Sequence, residues 1–388
     1  MLDFSLSEEQ IALVETARRF SKERIIPAAA AADRDAKFPR EVFEEAWKLG
    51  LINTTVPAEY GGAGLGELDN ALITEQLAYG CTGIQTSMLA NTLAGTPVLL
   101  AGSEAQKKKY LGMLTSEPRF AAYCTTEPSG GSDVAALKTS FKKVGSDYVL
   151  SGEKCWITNA SLASFYVVFA TAEVAKKHKG IAAFIVDRET PGLAVGKHED
   201  KMGQRASDTA AVHFEEVKVS ASNLLAPEGE GFKLAMETFN QTRPDIGAMA
   251  AGLMQRCLDE SVAYARERKA FGADRGAPTG GRDAGGHGDP HRGNPAFVSK
   301  SRVEPRSRGT HADRVRLCQS LRGGRRDADL GRRGAGLRRQ WLRQGLPGGK
   351  ADARRQGAAN LRGNEPNPAP GDRSCSAEGQ LGKGLKGN

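Results

Sequence analysis

The 388-residue sequence lacks the features that would assign it to several classes of protein. No apolar run approaches the roughly 18 residues that a membrane-spanning helix requires. The N-terminal stretch MLDFSLSEEQ has neither the basic start and apolar core of a secretory signal nor the acid-poor composition of a transit peptide. The six cysteines include no C-x-x-C pair, which argues against a disulfide framework or a zinc site. We therefore expect a cytoplasmic protein with no membrane span and no metal.

Charge is distributed unevenly along the chain. From Ala273 onward there are 24 of the 54 Lys and Arg residues and 11 of the 46 Asp and Glu residues, so this segment carries a net charge of +13 and the first 272 residues carry −5. The same segment holds 23 of the 46 glycines. A basic segment can bind nucleic acid, but its only large aromatic residues are Phe297 and Trp341. Because stacking aromatics are so sparse, we expect no nucleic-acid partner.

The first part of the chain, from Ser7 to about Thr115, has a helical pattern. The stretch SEEQ is a Ser-x-x-Gln capping box. An apolar residue then recurs at every third position, which predicts one buried helix face. These residues are Ile11, Val14, Ala17 and Phe20. Further helical segments are expected at Glu41–Leu51, Leu68–Gly80, Ile84–Leu100 and Glu104–Leu114. The glycine-rich loop PAEYGGAGLGELD follows no strand, so it predicts a turn rather than a phosphate-binding loop.

Between about Phe120 and Leu225, apolar and polar residues alternate with a period of two. From Gly229 to about Phe271 the spacing of apolar residues is again that of a helix. Five segments with the alternation of β-strands predict a small barrel or sandwich. They are YVLSGEKCWITN, FYVVFATAEV, GIAAFIVDRE, GLAVGKHE and AAVHFEEVKV. The last helical part contains EGFKLAMETFNQT and then DIGAMAAGLMQRCLDESVAYARERKAFG. We therefore predict a multidomain α+β fold with a helical domain at 1–118, a β domain at 119–225, the start of a second helical domain at 226–272, and an Arg/Gly-rich tail at 273–388.

Five motifs in these domains carry functional information. They are YCTTEPSGGSDVAALKT (Tyr123–Thr139), KCWITNA (Lys154–Ala160), KMGQRASDTAAVHFEEVKV (Lys201–Val219), FNQTRPDIGA (Phe239–Ala248) and ARERKAFG (Ala265–Gly272). Each motif alone is weak evidence for a function, because a loop of Thr, Ser and Gly ordinarily forms a turn and a tryptophan on a strand is ordinarily buried in the core. In this order and spacing they resemble the acyl-CoA dehydrogenase family of the medium- or short-chain type, over about 70% of the chain. The resemblance implies a C-terminal four-helix domain, which the tail of this chain would disrupt.

The resemblance also implies FAD as cofactor, an acyl-CoA thioester as substrate, an electron-transferring flavoprotein as electron acceptor, and a homotetramer. The residues expected against the flavin are Tyr123, Thr125, Thr126, Gly131, Ser132, Trp156, Ile157 and Thr158. In the family, the indole of Trp156 would cover the flavin, the Thr158 hydroxyl would face its N5 region, and Arg268 would contact the FAD diphosphate across a subunit boundary. The residues expected to bind the CoA part are Ser132, Asn240 and Arg243. A guanidinium such as that of Arg243 offers paired donors to a phosphate.

One residue that the resemblance requires is missing. The family removes the α-proton of the substrate with a glutamate, whose pKa a dry pocket raises. Some branches carry this glutamate at the position of Thr242. Most others carry it near the C-terminus in a segment such as IYEGTSQIQR, which this chain does not contain.

The missing segment can be recovered from the tail by changing the reading frame. If Ala358–Pro366 is encoded by GCA GCA AAT CTA CGA GGG AAC GAG CC, reading from the second base gives QQIYEGTS, with the glutamate codon straddling those of Arg362 and Gly363. The same offset makes QWLRQGLPGGKADAR compatible with NGYGKDYPVEKLMRD, and Asp274–Pro278 compatible with IAEH, both of which match the family. Three matches in the correct order at one offset indicate an out-of-frame translation that begins near Ala273.

Three hypotheses for function follow from these patterns. The first is an FAD-dependent dehydrogenase that converts an acyl-CoA to the trans-2-enoyl-CoA. The second is a non-catalytic flavin or acyl-CoA binding protein with a basic tail that contacts nucleic acid. The third is an inactive frameshifted product, because the printed chain has no catalytic glutamate in the expected places.

Overall fold

The computed structural model describes residues 5–267, 269–270 and 273–274. Helices come first along the chain, a β-sheet follows, and a long helix comes last, in the predicted order. Within these ranges, no helix is long and apolar enough to cross a membrane. Arg268 lies outside the described residues, and so does the segment to which the frame hypothesis applies, except for its first two residues, 273–274.

The N-terminal helices lie close to their predicted positions. Their bounds are α1 (Glu8–Phe20), α2 (Ile26–Arg34), α3 (Arg40–Lys48), α4 (Glu67–Gly80), α5 (Thr82–Ala101), α6 (Glu104–Gln106) and α7 (Gly112–Ser116). Two π-helical turns, Ser21–Ile25 and Lys107–Leu111, continue α1 into α2 and α6 into α7. The glycine-rich loop forms a 3-10 turn at Ala58–Tyr60, followed by Gly61 with a φ of 82°. The expectation of a plain turn at this loop is confirmed.

The start of α1 confirms one prediction and corrects another. Ser7 and Gln10 form the reciprocal capping box, with the Gln10 amide donating to Ser7 Oγ at 3.2 Å and the Ser7 amide donating to Gln10 Oε1 at 3.1 Å. Val14, Ala17 and Phe20 are buried, but Ile11 is 45% exposed. A three-residue spacing rotates by about 60° per step on a helix of 3.6 residues per turn, so Ile11 lies off the buried stripe.

The central domain is a mixed sheet of eight strands. Their bounds are β1 (Phe120–Cys124), β2 (Ser140–Val144), β3 (Asp147–Thr158), β4 (Ala163–Thr171), β5 (Ile181–Asp187), β6 (Leu193–His198), β7 (Thr209–Val219) and β8 (Leu224–Ala226). The strand order is β6-β7-β3-β2-β4-β5-β8, and β1 pairs in parallel with β4. The five strand segments expected from the sequence all form strands.

This sheet is strongly curved. Tyr148 on β3 and Phe184 on β5 lie in strands separated by two others, yet their ring centroids are 5.2 Å apart. In a flat sheet, three strand spacings would separate them by about 14 Å. One face of β4, with Tyr166 and Val168, packs inside this curved sheet, whereas the other face, with Phe165 and Val167, packs in the core that the helices complete. This enclosed apolar interior agrees with the predicted barrel or sandwich.

The last helix, α8 (Gly231–Glu267), is continuous across the two segments seen in the sequence. Pro244 lies inside it, although proline removes one helical hydrogen bond. The helix is bonded to α4 directly after this proline, where Asp245 accepts a hydrogen bond from Asn70 at 2.9 Å. Further along, a Cβ at Gly252 would lie 2.1 Å from the backbone oxygen of Glu75 on α4. The two helices therefore approach closely at this glycine. Two short strands, β9 (Lys269–Ala270) and β10 (Ala273–Asp274), follow α8.

Candidate functional site

Tyr123 lies at the end of β1, between the sheet and α8. Its ring centroid is 5.1 Å from that of Phe169 on β4 and 5.7 Å from that of Phe239 on α8. Its side chain is buried, and its hydroxyl makes no well-formed hydrogen bond among the described residues, although the Thr125 side chain is close enough to oppose the shift in its pKa. Burial raises the pKa of this hydroxyl, so it stays neutral. Tyr123 is therefore an unsatisfied neutral group at the junction of the two domains.

The loop after β1 carries a second buried hydroxyl, that of Thr125. Thr125 is 4% exposed, and its Oγ1 has no hydrogen-bond partner in the described part of the chain. Thr126 is half-buried, and a Cβ at Gly131 would lie 3.0 Å from Thr126 Cγ2, so the loop folds tightly back on itself. Ser132 is exposed. The Thr125 side chain interacts with the Tyr123 hydroxyl, since it opposes the rise in the Tyr123 pKa, but neither hydroxyl has a well-formed hydrogen bond among the described residues. Because buried hydroxyls in native structures are almost always hydrogen-bonded, this pair has bonding capacity left for a ligand.

Trp156 near the end of β3 is held in an unusual backbone conformation. Its φ is 58°, and the pairing of β3 with β7 is interrupted between Lys154 and Ile157. This bulge leaves the Trp156 side chain 57% exposed, whereas Ile157 is buried and Thr158 is half-buried. A left-handed backbone at a bulky residue is strained and is concentrated at functional sites. The indole is therefore displayed on the surface rather than packed in the core.

The loop after β1 and the end of β3 are bonded directly to each other. The amide of Cys155 donates to the carbonyl oxygen of Thr126 at 3.0 Å. The turn after β3 is fixed by Asn159, whose side-chain amide donates to the carbonyl oxygen of Ser87 on α5 at 2.8 Å. The structure thus brings together the two segments that were predicted to contact the flavin.

The residues predicted to bind CoA lie on α8. Asn240 directly follows Phe239, which contacts Tyr123, and Arg243 lies about one turn further on. Both side chains are exposed. Thr242 is buried, and its hydroxyl donates to the carbonyl oxygen of Thr238 at 3.0 Å, so it supplies no proton acceptor of the required basicity. No contact in the structure joins Asn240 or Arg243 to Ser132.

Comparison with known proteins places these features in one family. The N-terminal, middle and C-terminal domain models of acyl-CoA dehydrogenase match residues 7–118, 122–217 and 229–277. The chain is 48% identical over 276 residues to a probable medium-chain specific acyl-CoA dehydrogenase 2, mitochondrial, of Caenorhabditis briggsae, a match that covers 70% of this chain and 68% of that protein.

The chain belongs to the acyl-CoA dehydrogenase family.

Solved structures of other acyl-CoA dehydrogenases share its fold. Butyryl-CoA dehydrogenase from Megasphaera elsdenii is 34% identical and superposes with a TM-score of 0.68, over 71% of this chain and 73% of that one. A glutaryl-CoA dehydrogenase from Mycobacterium smegmatis, solved in complex with FADH2, is 29% identical with a TM-score of 0.64, over 69% of this chain and 67% of that one. FAD is the cofactor of this family.

The residues of this chain fit a flavin. The buried hydroxyls of Tyr123 and Thr125 are neutral hydrogen-bonding groups, and the exposed indole of Trp156 is a flat apolar surface for a ring. The described ranges contain no group of three or more His, Cys, Asp or Glu residues that could hold a metal ion.

Three charged residues that bond to the loop after β1 and the turn after β3 were not predicted as site residues from the sequence. Lys154 and Glu127 form a buried ion pair, with Nζ and Oε1 2.7 Å apart. Asp208, which is 4% exposed, accepts from the amide of Ser161 at 2.9 Å and from its hydroxyl at 2.6 Å, and so holds the turn after β3. All three lie within the quoted motifs, but charged residues are usually on the surface, so nothing in the pattern marked them as buried.

Proposed function

We propose that the protein is an FAD-dependent acyl-CoA dehydrogenase that oxidises an acyl-CoA thioester to the trans-2-enoyl-CoA. The observation that carries this proposal is that the loop with the buried hydroxyl of Thr125 is bonded, through the Thr126 carbonyl and the Cys155 amide, to the end of β3 that exposes the indole of Trp156. Family membership supports an oxidoreductase. Bound FAD supplies the acceptor for the β-hydride of the substrate.

Each part of the site has a defined task in this proposal. Thr125, Thr126 and Thr158 orient the flavin through neutral hydrogen bonds, and Trp156 shields one side of the ring from water. Asn240 and Arg243 bind the CoA part from α8, where the exposed guanidinium of Arg243 is free to approach a phosphate. Ser132 lies on the loop that would follow the pantetheine. Arg268 would complete the FAD diphosphate site of a neighbouring subunit in a homotetramer.

The described residues do not supply the α-proton acceptor at the positions used by the family. The Thr242 hydroxyl donates a hydrogen bond to the carbonyl oxygen of Thr238. Asp245 lies about one turn further along α8 and accepts a hydrogen bond from Asn70 of α4 at 2.9 Å. We infer that the acceptor is the glutamate encoded one base away from the printed frame, across the codons of Arg362 and Gly363. The match to the C-terminal family domain ends at residue 277, close to the start of the inferred frame change.

Two measurements test the inferred change of reading frame. Resequencing the gene across the codon of Gly272 should reveal one base more or fewer than the printed sequence requires. The intact mass of the protein isolated from its natural source should differ from that of the printed 388-residue chain. A single uninterrupted frame together with the mass of the printed chain would refute this inference.

Anaerobic mixing with acyl-CoA tests the reaction. The frame-restored protein, loaded with FAD, should lose its absorbance at about 450 nm as the flavin is reduced. The printed chain should bleach at least about a hundredfold more slowly, because positioned proton transfer contributes that much or more. Adding an electron-transferring flavoprotein should restore the absorbance. A frame-restored protein that binds FAD but is not bleached by acyl-CoA of any chain length would not be a dehydrogenase.

A second candidate function is non-catalytic binding of flavin or acyl-CoA by the printed chain. Thr242 in place of a glutamate favours it, because the ligand-binding residues are retained without the base. In that case acyl-CoA would bind to the printed chain, seen as a perturbed flavin spectrum, with no bleaching over hours.

A further inference from the structure

A buried ion pair joins the two segments that are proposed to hold the flavin. Lys154 lies on β3, two residues before Trp156, and Glu127 lies in the loop after β1, directly after Thr126. Their side chains are 0% and 3% exposed, and Nζ and Oε1 are 2.7 Å apart. A charged pair is seldom so completely removed from water, and removing one partner leaves an uncompensated buried charge.

Both partners use their remaining hydrogen bonds on backbone groups of the loop. Lys154 Nζ also donates to the carbonyl oxygen of Thr125 at 3.2 Å. The Glu127 carboxylate accepts from the amide of Lys138 at 2.7 Å and from the amide of Thr139 at 2.9 Å. The loop from Thr125 to Thr139 is therefore tied at both ends to one ion pair.

The neighbouring backbone bond completes this arrangement. The amide of Cys155, next to Lys154, donates to the carbonyl oxygen of Thr126. Consecutive residues of β3 thus bind consecutive carbonyl groups of the loop, those of Thr125 and Thr126. With its carbonyl held, the backbone of Thr125 has a fixed position, which restricts where its Oγ1 can lie next to the Tyr123 hydroxyl.

Burial acts against both charges, and each partner opposes this effect on the other. Burial lowers the pKa of the Lys154 ammonium group, whereas the Glu127 carboxylate raises it. Burial alone raises the pKa of the Glu127 carboxyl, but the Lys154 ammonium and the amides of Thr139 and Lys138 outweigh it, so the pKa lies below its ordinary value. The carboxylate therefore stays ionised and keeps the ammonium group in place beneath the loop.

We propose that Lys154 is a positioning residue that holds the Thr125 hydroxyl against the flavin ring by binding the Thr125 carbonyl, with Glu127 as the anion that keeps its ammonium group in the protein interior. This inference rests on the proposed FAD site. Lys154 touches neither flavin nor substrate in this scheme, and it acts only through the loop.

Three variants of the full chain test the role. Lys154→Met removes the donor to Thr125 and leaves the Glu127 carboxylate unpaired. The double variant Lys154→Met/Glu127→Gln removes the donor without leaving a buried charge, so it separates positioning from charge balance. Lys143→Met, at an exposed lysine on β2, is the matched control.

The first readout is FAD binding. The double variant should bind FAD about tenfold more weakly than the unmodified chain, the loss expected for one hydrogen bond. The absorbance band structure of its bound flavin should shift toward that of free FAD, which a general loss of stability would not cause. Lys143→Met should match the unmodified chain. Full recovery of both affinity and spectrum in the double variant would show that the pair only balances charge, and would overturn the proposal.

The second readout needs no flavin. In FAD-free protein, hydrogen exchange at the Cys155 amide should be at least about tenfold faster in Lys154→Met and in the double variant, because the loop is released from β3. Unchanged exchange in both variants would overturn the proposed clamp. If the unmodified chain takes up no FAD, the proposed function fails, and this exchange measurement still decides whether Lys154 holds the loop.

Discussion

Asp245 should make the packing of α8 on α4 weaken as the pH rises. Its side chain is 4% exposed, Oδ1 accepts from Asn70 Nδ2 at 2.9 Å, and Asn70 Oδ1 accepts from the Thr54 hydroxyl at 2.6 Å. Burial, opposed by the Asn70 hydrogen bond and assisted by the charge of Glu67, raises the pKa of Asp245 from 3.8 to about 7. The carboxyl is therefore protonated in the folded protein over a range in which it ionises in the unfolded chain.

The sign of the effect follows from the proton that the folded state retains. Below about pH 3 both states are protonated and Asp245 has no effect on stability. As the pH rises from about 4 to about 7, only the unfolded state ionises, so the free energy of unfolding falls. The difference between 3.8 and about 7 corresponds to a loss of about 4 kcal/mol once the pH exceeds 7.

Asp245→Asn tests this magnitude because it keeps the shape and the acceptor for Asn70 but cannot ionise. The variant should be more stable than the unmodified chain by about 2 kcal/mol at pH 5 and by about 4 kcal/mol at pH 8. Urea unfolding followed by far-UV circular dichroism at both pH values measures the difference. The control variant Glu237→Gln replaces an exposed carboxylate of the same helix, and its effect on the free energy of unfolding should not increase between pH 5 and pH 8. A stabilisation by Asp245→Asn that is equal at the two pH values, or absent, would refute the reasoning.

Three further substitutions probe the packing and the site. Gly252→Ala places a Cβ against the Glu75 carbonyl on α4 and should lower the free energy of unfolding by about 3 kcal/mol, whereas Gly112→Ala, with open space around it, should be neutral or slightly stabilising. Tyr123→Phe removes a buried hydroxyl that makes no well-formed hydrogen bond among the described residues, so urea unfolding of FAD-free protein should show unchanged stability or a gain of about 1 kcal/mol, while FAD titration shows weaker binding. Asp208→Ala leaves the Ser161 amide and hydroxyl without an acceptor and should destabilise the protein by about 2 kcal/mol in the same unfolding assay.

Local patterns in the sequence predicted most of the elements. The capping box at Ser7 and the two-residue alternation of the β segments depend on neighbours a few residues apart, and both were confirmed. The continuity of α8 through Pro244 was not expected, because proline disfavours a helix interior and the packing of α8 on the sheet and on α4 is not visible in the local sequence. Ile11 was predicted to be buried and is exposed, because residues spaced three apart rotate progressively around a helix of 3.6 residues per turn.

The candidate site was predicted by resemblance, and its supporting residues were not predicted. Glu127 and Lys154 are 27 residues apart in the chain, and Asn70 and Asp245 are 175 apart. Such pairs form only when the sheet and the helices have packed, so no local pattern marks them. The left-handed backbone of Trp156 likewise depends on the bulge between β3 and β7. Arg268, predicted to contact FAD, lies outside the described residues.

The central claim is that the loop after β1 and the end of β3 hold FAD, and a titration of the full chain with FAD tests it most directly. We expect saturable binding of one FAD per chain, followed by flavin fluorescence, with weaker binding in Tyr123→Phe and Trp156→Ala and unchanged binding in Lys143→Met. Absence of saturable binding in both the printed and the frame-restored chains would contradict the claim. Equal affinity in the unmodified chain and in both site variants would contradict the assignment of these residues.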